Sequence, residues 1–166
     1  MVSQEQRIQL NFYQKKDQTS LENYYLTEQQ LKYSGNPLDC LQDCVQDNER
    51  HPILIRSGEE VAGFFVLHSW GGVKDLSENR NALLLRAFSV NSIFQGQGIA
   101  TKALAALDLF VNANFPDVNE IILAVNHKNA VAQHVYMKAG FKDTGRRAMG
   151  KQGVMYLFSK KVNPET

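Results

Sequence analysis

A short glycine-rich segment carries the strongest chemical signal in the sequence. Gln95-Gly96-Gln97-Gly98-Ile99-Ala100 lies between an apolar run and a helical pattern. Glycine adopts left-handed backbone conformations and lets the chain approach a ligand closely. Where such a turn leads into a helix, successive N–H groups point outward and the helix dipole favours an anion. The segment therefore predicts a phosphate-binding turn, although a tight strand-to-helix connection that binds nothing has the same pattern.

Two other phosphate-binding motifs do not account for this turn. A Walker A loop requires GxxxxGK followed by Ser or Thr, and the sequence contains no such string. Gly96, Gly98 and Thr101 resemble a Rossmann GxGxxG fingerprint with its last glycine replaced. The ribose-binding acid of that fold is expected at the C-terminal end of the second strand, whereas Glu120 stands at the start of its predicted strand. A dinucleotide-binding domain is therefore the weaker prediction.

The elements that would position the turn follow from the hydrophobic pattern. Leu83–Val90 is nearly all apolar, as expected for a central strand buried on both faces. Only the second half of the chain alternates strand and helix, so we expect a mixed sheet with helices on both faces and loops at residues 71–81 and 145–153. The predicted strands are residues 7–13, 53–55, 61–69, 83–90, 120–125 and 154–159, and the predicted helices are residues 19–34, 38–49, 99–114 and 129–139.

A second motif further along the chain makes the turn more informative. Asn129-Ala130 precedes Tyr136-Met137-Lys138-Ala139-Gly140-Phe141. Together with Gln95-x-x-Gly98-x-Ala100, this resembles the GNAT superfamily of N-acetyltransferases, whose patterns are Gln/Arg-x-x-Gly-x-Gly/Ala and N-x-x-A…Y-x-x-x-G-F. The motifs cover about residues 83–145, and the order of elements extends the resemblance to nearly the whole chain. It implies the GNAT (acyl-CoA N-acyltransferase) fold: an α/β single domain over residues 1–166, with a central mixed β-sheet of about six or seven strands flanked by helices on both faces.

The resemblance also implies acetyl-CoA as the co-substrate. Its pyrophosphate is expected on the backbone amides of the turn. Its pantetheine arm is expected along the central strand, which splays from strand 120–125 beside a β-bulge. Asn129 is expected to hydrogen-bond the arm, and Tyr136 to lie near the thioester sulfur. The residues expected to bind the cofactor are Phe88, Ser89, Val90, Gln95, Gly96, Gln97, Gly98, Ile99, Ala100 and Asn129.

Acetyl transfer to an amine by direct attack in a ternary complex makes several demands. The reactants must be held together, the amine must lose a proton, the oxyanion needs an N–H donor and the leaving sulfur needs a proton donor. A backbone N–H of the central strand, around Phe88–Val90, suits the oxyanion. Tyr136 is the expected catalytic acid, since a tyrosine with an ordinary pKa of about 10 is protonated at neutral pH. The same pattern also fits a core aromatic on an amphipathic helix.

The group that accepts the amine proton is not evident from the sequence. Several related enzymes carry a glutamate on the central strand, at the position that Arg86 occupies here. Arg86 is expected to be a structural charge at the strand flank or a group that recognises an acidic acceptor. Deprotonation then runs through ordered water, or the acceptor amine has a pKa low enough to need no strong base. The candidates for an aromatic wall of the acceptor site, or else for core positions, are Tyr24, Tyr25, Tyr33, His68 and Trp70.

The predicted function is acetylation of a primary amine on a small molecule of the polyamine, amino sugar or amino acid type. A protein or peptide N-terminal acetyltransferase and a non-catalytic acyl-CoA sensor are the alternatives. The arginine at position 86 favours the sensor, and the retained Tyr136 favours turnover. The sequence does not identify the acceptor.

Composition excludes several other classes of protein. The 166 residues, 43% of them hydrophobic and 21% charged, suit one ordinary globular domain. A net charge of +1 predicts no broad attraction to nucleic acid or membranes. No apolar run is long enough for a membrane span or signal peptide, so we expect a cytoplasmic protein. Cys40 and Cys44 lack nearby zinc-ligand partners and are expected in the core, so no metal is predicted. A homodimer is allowed, since dimers are common in the family.

Overall fold

The computed structural model describes residues 7–162 and arranges them around one seven-stranded β-sheet. The strands are β1 (Ile8–Phe12), β2 (Arg50–Ser57), β3 (Glu60–His68), β4 (Ala82–Val90), β5 (Glu120–Asn126), β6 (Lys142–Gly150) and β7 (Gly153–Lys161). Their order across the sheet is β1-β2-β3-β4-β5-β7-β6. Only β4 and β5 pair in parallel within this sheet, and all other neighbours are antiparallel. The sheet is therefore mixed, as the sequence predicts.

Helices cover both faces of the sheet. They are α1 (Gln18–Glu22), α2 (Glu28–Leu31), α3 (Pro37–Gln46), α4 (Trp70–Val73), α5 (Ile99–Asn114) and α6 (Ala130–Lys138). On one face, the region of α1–α3 packs against Leu54, Phe64 and Val66. On the other face, α5 and α6 pack over a larger core that includes Leu83 and Ile121. Among the described residues, no helix has both the length and the apolar character that crossing a membrane requires.

The parallel pair depends on α5. A connection between parallel neighbours needs a crossover, usually a helix. The chain leaves β4 at Val90, passes through the glycine-rich turn and α5, and returns as β5 at Glu120. Leu104 and Leu107 fix α5 against the sheet and are each 1% exposed. This crossover places the start of α5 beside the C-terminal ends of β4 and β5.

Tertiary hydrogen bonds divide the predicted helix over residues 19–34 into α1 and α2. Tyr24 turns into the core, and its hydroxyl lies 2.8 Å from Ser89 Oγ. The backbone carbonyl of Tyr25 accepts a hydrogen bond from Ser92 N at 2.8 Å. These contacts to the segment around the end of β4 compete with continuation of the helix, so the single helix was a wrong prediction.

Two elements lie where the sequence predicted loops. Strand β6 carries six consecutive exposed residues, and therefore has no alternating apolar pattern to reveal it. It pairs only with β7 and forms an edge of the sheet. Helix α4 is a single turn in which Val73 is buried. Both elements owe their structure to tertiary contacts that local residue patterns do not encode.

Candidate active site

Strands β4 and β5 pair over only part of their length. Parallel pairing ends where Leu85 meets Leu123, although β4 continues to Val90 and β5 to Asn126. Beyond that point β4 stays paired with β3, and β5 with β7. The two strands therefore diverge and leave a gap, which confirms the splay that the sequence resemblance implied.

A β-bulge in β4 accompanies this divergence. Ala87 and Phe88 together lie opposite the single residue Phe65 of β3. Ala87 has a φ of 57°, a left-handed value that alanine rarely adopts. A bulge leaves backbone groups unpaired and bends its strand. Main-chain groups of β4 are thereby freed beside the gap.

The gap is the floor of a cleft of about 720 Å³. One wall is formed by residues 29–35, in α2 and the loop that follows it. Another includes Asn129 and Tyr136 at the start and middle of the α6 region, and Lys151 and Gln152 contribute from the β6–β7 turn. The volume and concave shape are those of a small-molecule site.

The glycine-rich turn adopts the conformation that its residues predict. Gly96 has a φ of 81° and Gly98 a φ of 75°, both in the left-handed region. Gly98 is the residue that precedes α5, and no side chain within residues 7–162 caps the first turn of that helix. The amides at the start of a 16-residue helix thus remain available to an anion.

The ten residues predicted to bind the cofactor lie in three kinds of position relative to the cleft. Phe88, Ser89, Val90, Gln95, Ala100 and Asn129 line it, whereas Gly96, Gln97 and Gly98 form the exposed part of the turn beside it.

 The tenth, Ile99, is 2% exposed and belongs to the larger core, so only its backbone can face a ligand. The predicted segment thus lies in or beside the cleft, and Ile99 anchors it to the core.

The side chain of Ser89 does not point to a ligand position. Ser89 is 6% exposed, and its Oγ lies 2.8 Å from the Tyr24 hydroxyl in the core. Burial raises the pKa of Tyr24, so the tyrosine stays protonated. Ser89 is thereby left with its backbone groups as the part that can face the cleft.

Tyr136 lies in the cleft, as the sequence predicts. Its ring meets Phe88 edge-on with ring centroids 6.1 Å apart, and Phe141 with centroids 5.9 Å apart. Burial raises the pKa of its hydroxyl above the ordinary value of 10.0. The hydroxyl therefore keeps its proton at neutral pH and can act as a donor.

Asn129 has a structural task as well as a place in the cleft. Its Oδ1 accepts a hydrogen bond from Ala132 N at 3.2 Å, which caps the start of α6. Its amide nitrogen remains as the group that can donate to a ligand.

Two polar residues that the sequence did not single out reach the exposed edge of β4. Gln30 Nε2 donates to the Val90 carbonyl at 2.6 Å, and Ser34 Oγ donates to the Phe88 carbonyl at 2.9 Å. Gln30 Oε1 also accepts from Thr27 N and so completes the cap of α2. The segment after α1 is thus fixed over the gap between the strands.

Arg86 lines the cleft, and the buried His68 contacts its guanidinium. Its Nη1 lies 3.2 Å from Nδ1 of the buried His68, whose Nε2 lies 3.2 Å from Asp47 Oδ2. An arginine only donates hydrogen bonds, so Nδ1 of His68 is the unprotonated acceptor. Burial, together with the nearby charges of Arg50 and Arg86, lowers the pKa of His68 and keeps the ring neutral.

The aromatic residues proposed for the acceptor wall do not form one cluster. Tyr24 is buried in the core, Tyr25 is 69% exposed outside the cleft, and Tyr33 lines the cleft. Trp70 instead packs beside α4, with the Arg80 guanidinium 4.4 Å from its ring centroid. These residues therefore do not form an aromatic cage for a cationic amine, and Tyr24 takes the alternative position in the core.

No carboxylate among the described residues lines the part of the cleft where a base would accept the amine proton. The cleft lining within residues 7–162 contains no Asp, Glu or His side chain. Glu120 lies at the start of β5 and bonds to Asn79 and to Ser159. The same described part of the chain also holds no group of His, Cys, Asp and Glu side chains arranged for a metal ion.

The fold and cleft together define a class: an α/β domain with an anion-binding turn at the end of a strand that diverges from its parallel neighbour. The family model described as the acetyltransferase (GNAT) family matches residues 18–141. The uncharacterized N-acetyltransferase YbbJ of Bacillus subtilis (strain 168) is 39% identical over 149 residues, which cover 89% of this chain and 93% of that protein. This chain therefore belongs to the acetyltransferase (GNAT) family.

Solved structures of acetyltransferases share the fold. The aminoglycoside acetyltransferase AAC(6')-Ib, in complex with coenzyme A and kanamycin, superposes with a TM-score of 0.75 at 17% identity, covering 93% of this chain and 95% of that one. Spermidine N-acetyltransferase from Vibrio cholerae, in complex with CoA and spermine, gives a TM-score of 0.64 at 14% identity, covering 93% and 95%. Its membership of the acetyltransferase (GNAT) family makes the chain an acyltransferase that uses acetyl-CoA as its co-substrate.

The residues present fit that co-substrate. The uncapped amides at the start of α5 suit a pyrophosphate, and the free edge of β4 suits an amide-containing arm. The carbonyls of Phe88 and Val90 already accept from Ser34 and Gln30, but each carbonyl oxygen has a second lone pair.

Proposed function

We propose that the protein acetylates a primary amine of a small molecule by direct attack in a ternary complex. The observation that carries the proposal is the divergence of β4 from β5 after Leu85. It joins the anion-binding turn, the freed backbone of β4 and the Tyr136 ring within a single cleft. A single cleft of this kind holds two reactants side by side, which contributes several kcal/mol to catalysis.

The turn and the strand have separate roles in binding. The amides of residues 96–100 hold the pyrophosphate through the helix dipole and direct N–H donation. Phe88 and Val90 offer main-chain groups along the arm, and the Asn129 amide donates from the opposite wall. Acetyl-CoA supplies a thioester whose carbonyl is open to attack by an amine.

The β4 bulge and Tyr136 assist the formation and breaking of bonds during acetyl transfer. A main-chain N–H freed near Phe88 donates to the carbonyl oxygen as negative charge develops there. Tyr136 donates its proton to the leaving sulfur, and its raised pKa keeps that proton available. The amine nitrogen bonds to the acetyl carbon as the carbon–sulfur bond breaks, and the amine proton leaves through water.

The side chains that line the described cleft favour an acceptor whose amine has a low pKa and loses its proton without a strong base. Because no carboxylate or imidazole lines the described cleft, an amine with a pKa near the α-amino range of about 7.7–8.0 reacts more readily than one near about 10.4. The α-amine at the end of a peptide has this property, so peptides belong among the acceptors to be tested.

A thiol-release assay tests the function. Acetyl-CoA is combined with the protein and with primary amines of the polyamine, amino sugar, amino acid and peptide types. The acetylated product is identified from its mass by mass spectrometry. We expect release of one CoA for each acetyl group transferred to at least one small amine. Binding of CoA without release on any amine would support the sensor instead, and acetylation of peptides alone would support the N-terminal alternative.

Replacement of Gly98 by valine tests the anion-binding turn. The left-handed φ of 75° is strained for valine, so the amides should move and CoA affinity should fall by about tenfold or more. Gly58→Val is the matched control, since Gly58 has a φ of 64° with open space around it and lies in the β2–β3 turn outside the cleft. Titration calorimetry with CoA compares the two. Equal CoA affinities in two folded variants would contradict the assignment of the turn.

Removal of one hydroxyl tests the proton donor. Tyr136→Phe should lower kcat by about 10²-fold while CoA affinity changes little, because only donation to the sulfur is lost. Burial raises the pKa of Tyr136, so the wild-type rate should show no decline from its ionisation up to pH about 10. Tyr25→Phe, at a residue 69% exposed outside the cleft, is the control. A Tyr136→Phe variant with kcat within about twofold of wild type would exclude this role.

A further inference from the structure

Arg86 is a fixed cation without an anionic partner. Its side chain is exposed in the cleft, and among residues 7–162 no carboxylate oxygen lies within ion-pair distance of it. Asp43 and Asp47, two acidic residues on the α3 side, instead pair with Arg50. The guanidinium therefore keeps most of its donors for a ligand.

A chain of contacts sets the direction of this side chain. His68 is 3% exposed and presents its Nδ1 lone pair to Arg86 Nη1. Because Nδ1 accepts from Arg86, the neutral ring carries its proton on Nε2, which lies 3.2 Å from Asp47 Oδ2 on the far side of the ring. One corner of the guanidinium is thereby fixed, which reduces the entropy lost when its other N–H groups bind.

The charged side chains in the described lining of the cleft are all positive. Lys32, Arg86 and Lys151 contribute cations, and no Asp or Glu lines the cleft to offset them. A polycationic acceptor such as a polyamine would enter against this field, whereas an anionic group would be attracted. The lysines are exposed on flexible stems, so Arg86 is the cation with a defined position.

The position of Arg86 separates it from the phosphate-binding turn. Val90, the end of β4, lies four residues after Arg86, a span of roughly 13 Å in extended chain. Arg86 is the first residue after the last β4–β5 pair, beside the bulge whose backbone we assign to the thioester. It therefore lies by the reacting end of the cleft, where the acceptor must enter.

We propose that Arg86 binds a carboxylate of the acceptor, and that the enzyme selects small amines that carry such a group. This inference rests on the proposed function, since it assigns the acceptor of the same site. The planar guanidinium donates two parallel hydrogen bonds to the two carboxylate oxygens. His68 and Asp47 act as positioning residues that hold the guanidinium for this contact.

The test compares matched acceptors in matched variants. Each carboxylate amine, a free amino acid or a dipeptide, is paired with its own carboxamide, and kcat/KM is measured for both. The amine pKa differs between a carboxylate acceptor and its carboxamide, but each acceptor has the same amine pKa with every protein variant. A change between variants in the carboxylate-to-carboxamide ratio of kcat/KM therefore reports the contact between the carboxylate and Arg86. The variants are Arg86→Gln, Arg86→Lys and the control Arg146→Gln, which removes the same charge from an exposed residue outside the cleft.

In the wild type the carboxylate should be favoured, and Arg86→Gln should lower the carboxylate-to-carboxamide ratio by about 10- to 100-fold. The loss should appear mainly in KM for the acceptor, with CoA affinity retained. Arg86→Lys should restore part of the ratio, because it keeps the charge without the planar fork. Arg146→Gln should keep the wild-type ratio.

Other outcomes overturn the proposal. A ratio that Arg86→Gln leaves unchanged, or a wild-type preference for spermidine over every carboxylate amine, would show that Arg86 does not select the acceptor. Calorimetry on the protein–CoA complex separates this failure from failure of the proposed function. Carboxylate binding that depends on Arg86, without any CoA release, would uphold the inference and reject catalysis; CoA release without such binding would do the reverse.

Discussion

The candidate site depends on a limit to backbone pairing. Strand β4 remains bound to β3 and β5 remains bound to β7, so the two strands separate after Leu85 and Leu123. Backbone groups inside a sheet must find partners, and an unpaired edge in the middle of a sheet is therefore a place where a ligand with amide groups can bind. The bulge at Ala87 maintains the divergence, since the left-handed residue bends β4.

The other parts of the site follow from that opening. Helix α5 must begin where β4 ends because it connects the two parallel strands, and its uncapped N-terminus therefore lies beside the cleft. Helix α6 brings Tyr136 across the opening against Phe88. Arg86 of β4 also lines the cleft, and its guanidinium donates a hydrogen bond to His68. In the proposed function, cofactor binding relies on main-chain groups, whereas acceptor selection relies on side chains.

The parts that the sequence predicted are those with strong local signals. The apolar run of β4 and the glycines before α5 determine strand, turn and helix with little help from distant residues. Gln30 and Ser34 could not be found in this way, because they contact backbone carbonyls 60 and 54 residues away in sequence. The support of Arg86 by His68 likewise depends on the register of β3 against β4. Strand β6 escaped prediction because its exposed residues carry no apolar alternation.

Amide hydrogen exchange with and without CoA tests the central claim, that the free edge of β4 and the turn beyond it bind the cofactor. The account predicts slower exchange in residues 87–90 and 96–101 on saturation with CoA, because N–H groups there gain partners. Strands β1 and β2, which lie beyond β3 on the far side of β4, should keep their exchange rates. Saturating CoA that protects neither segment, or that protects a different surface, would contradict the account.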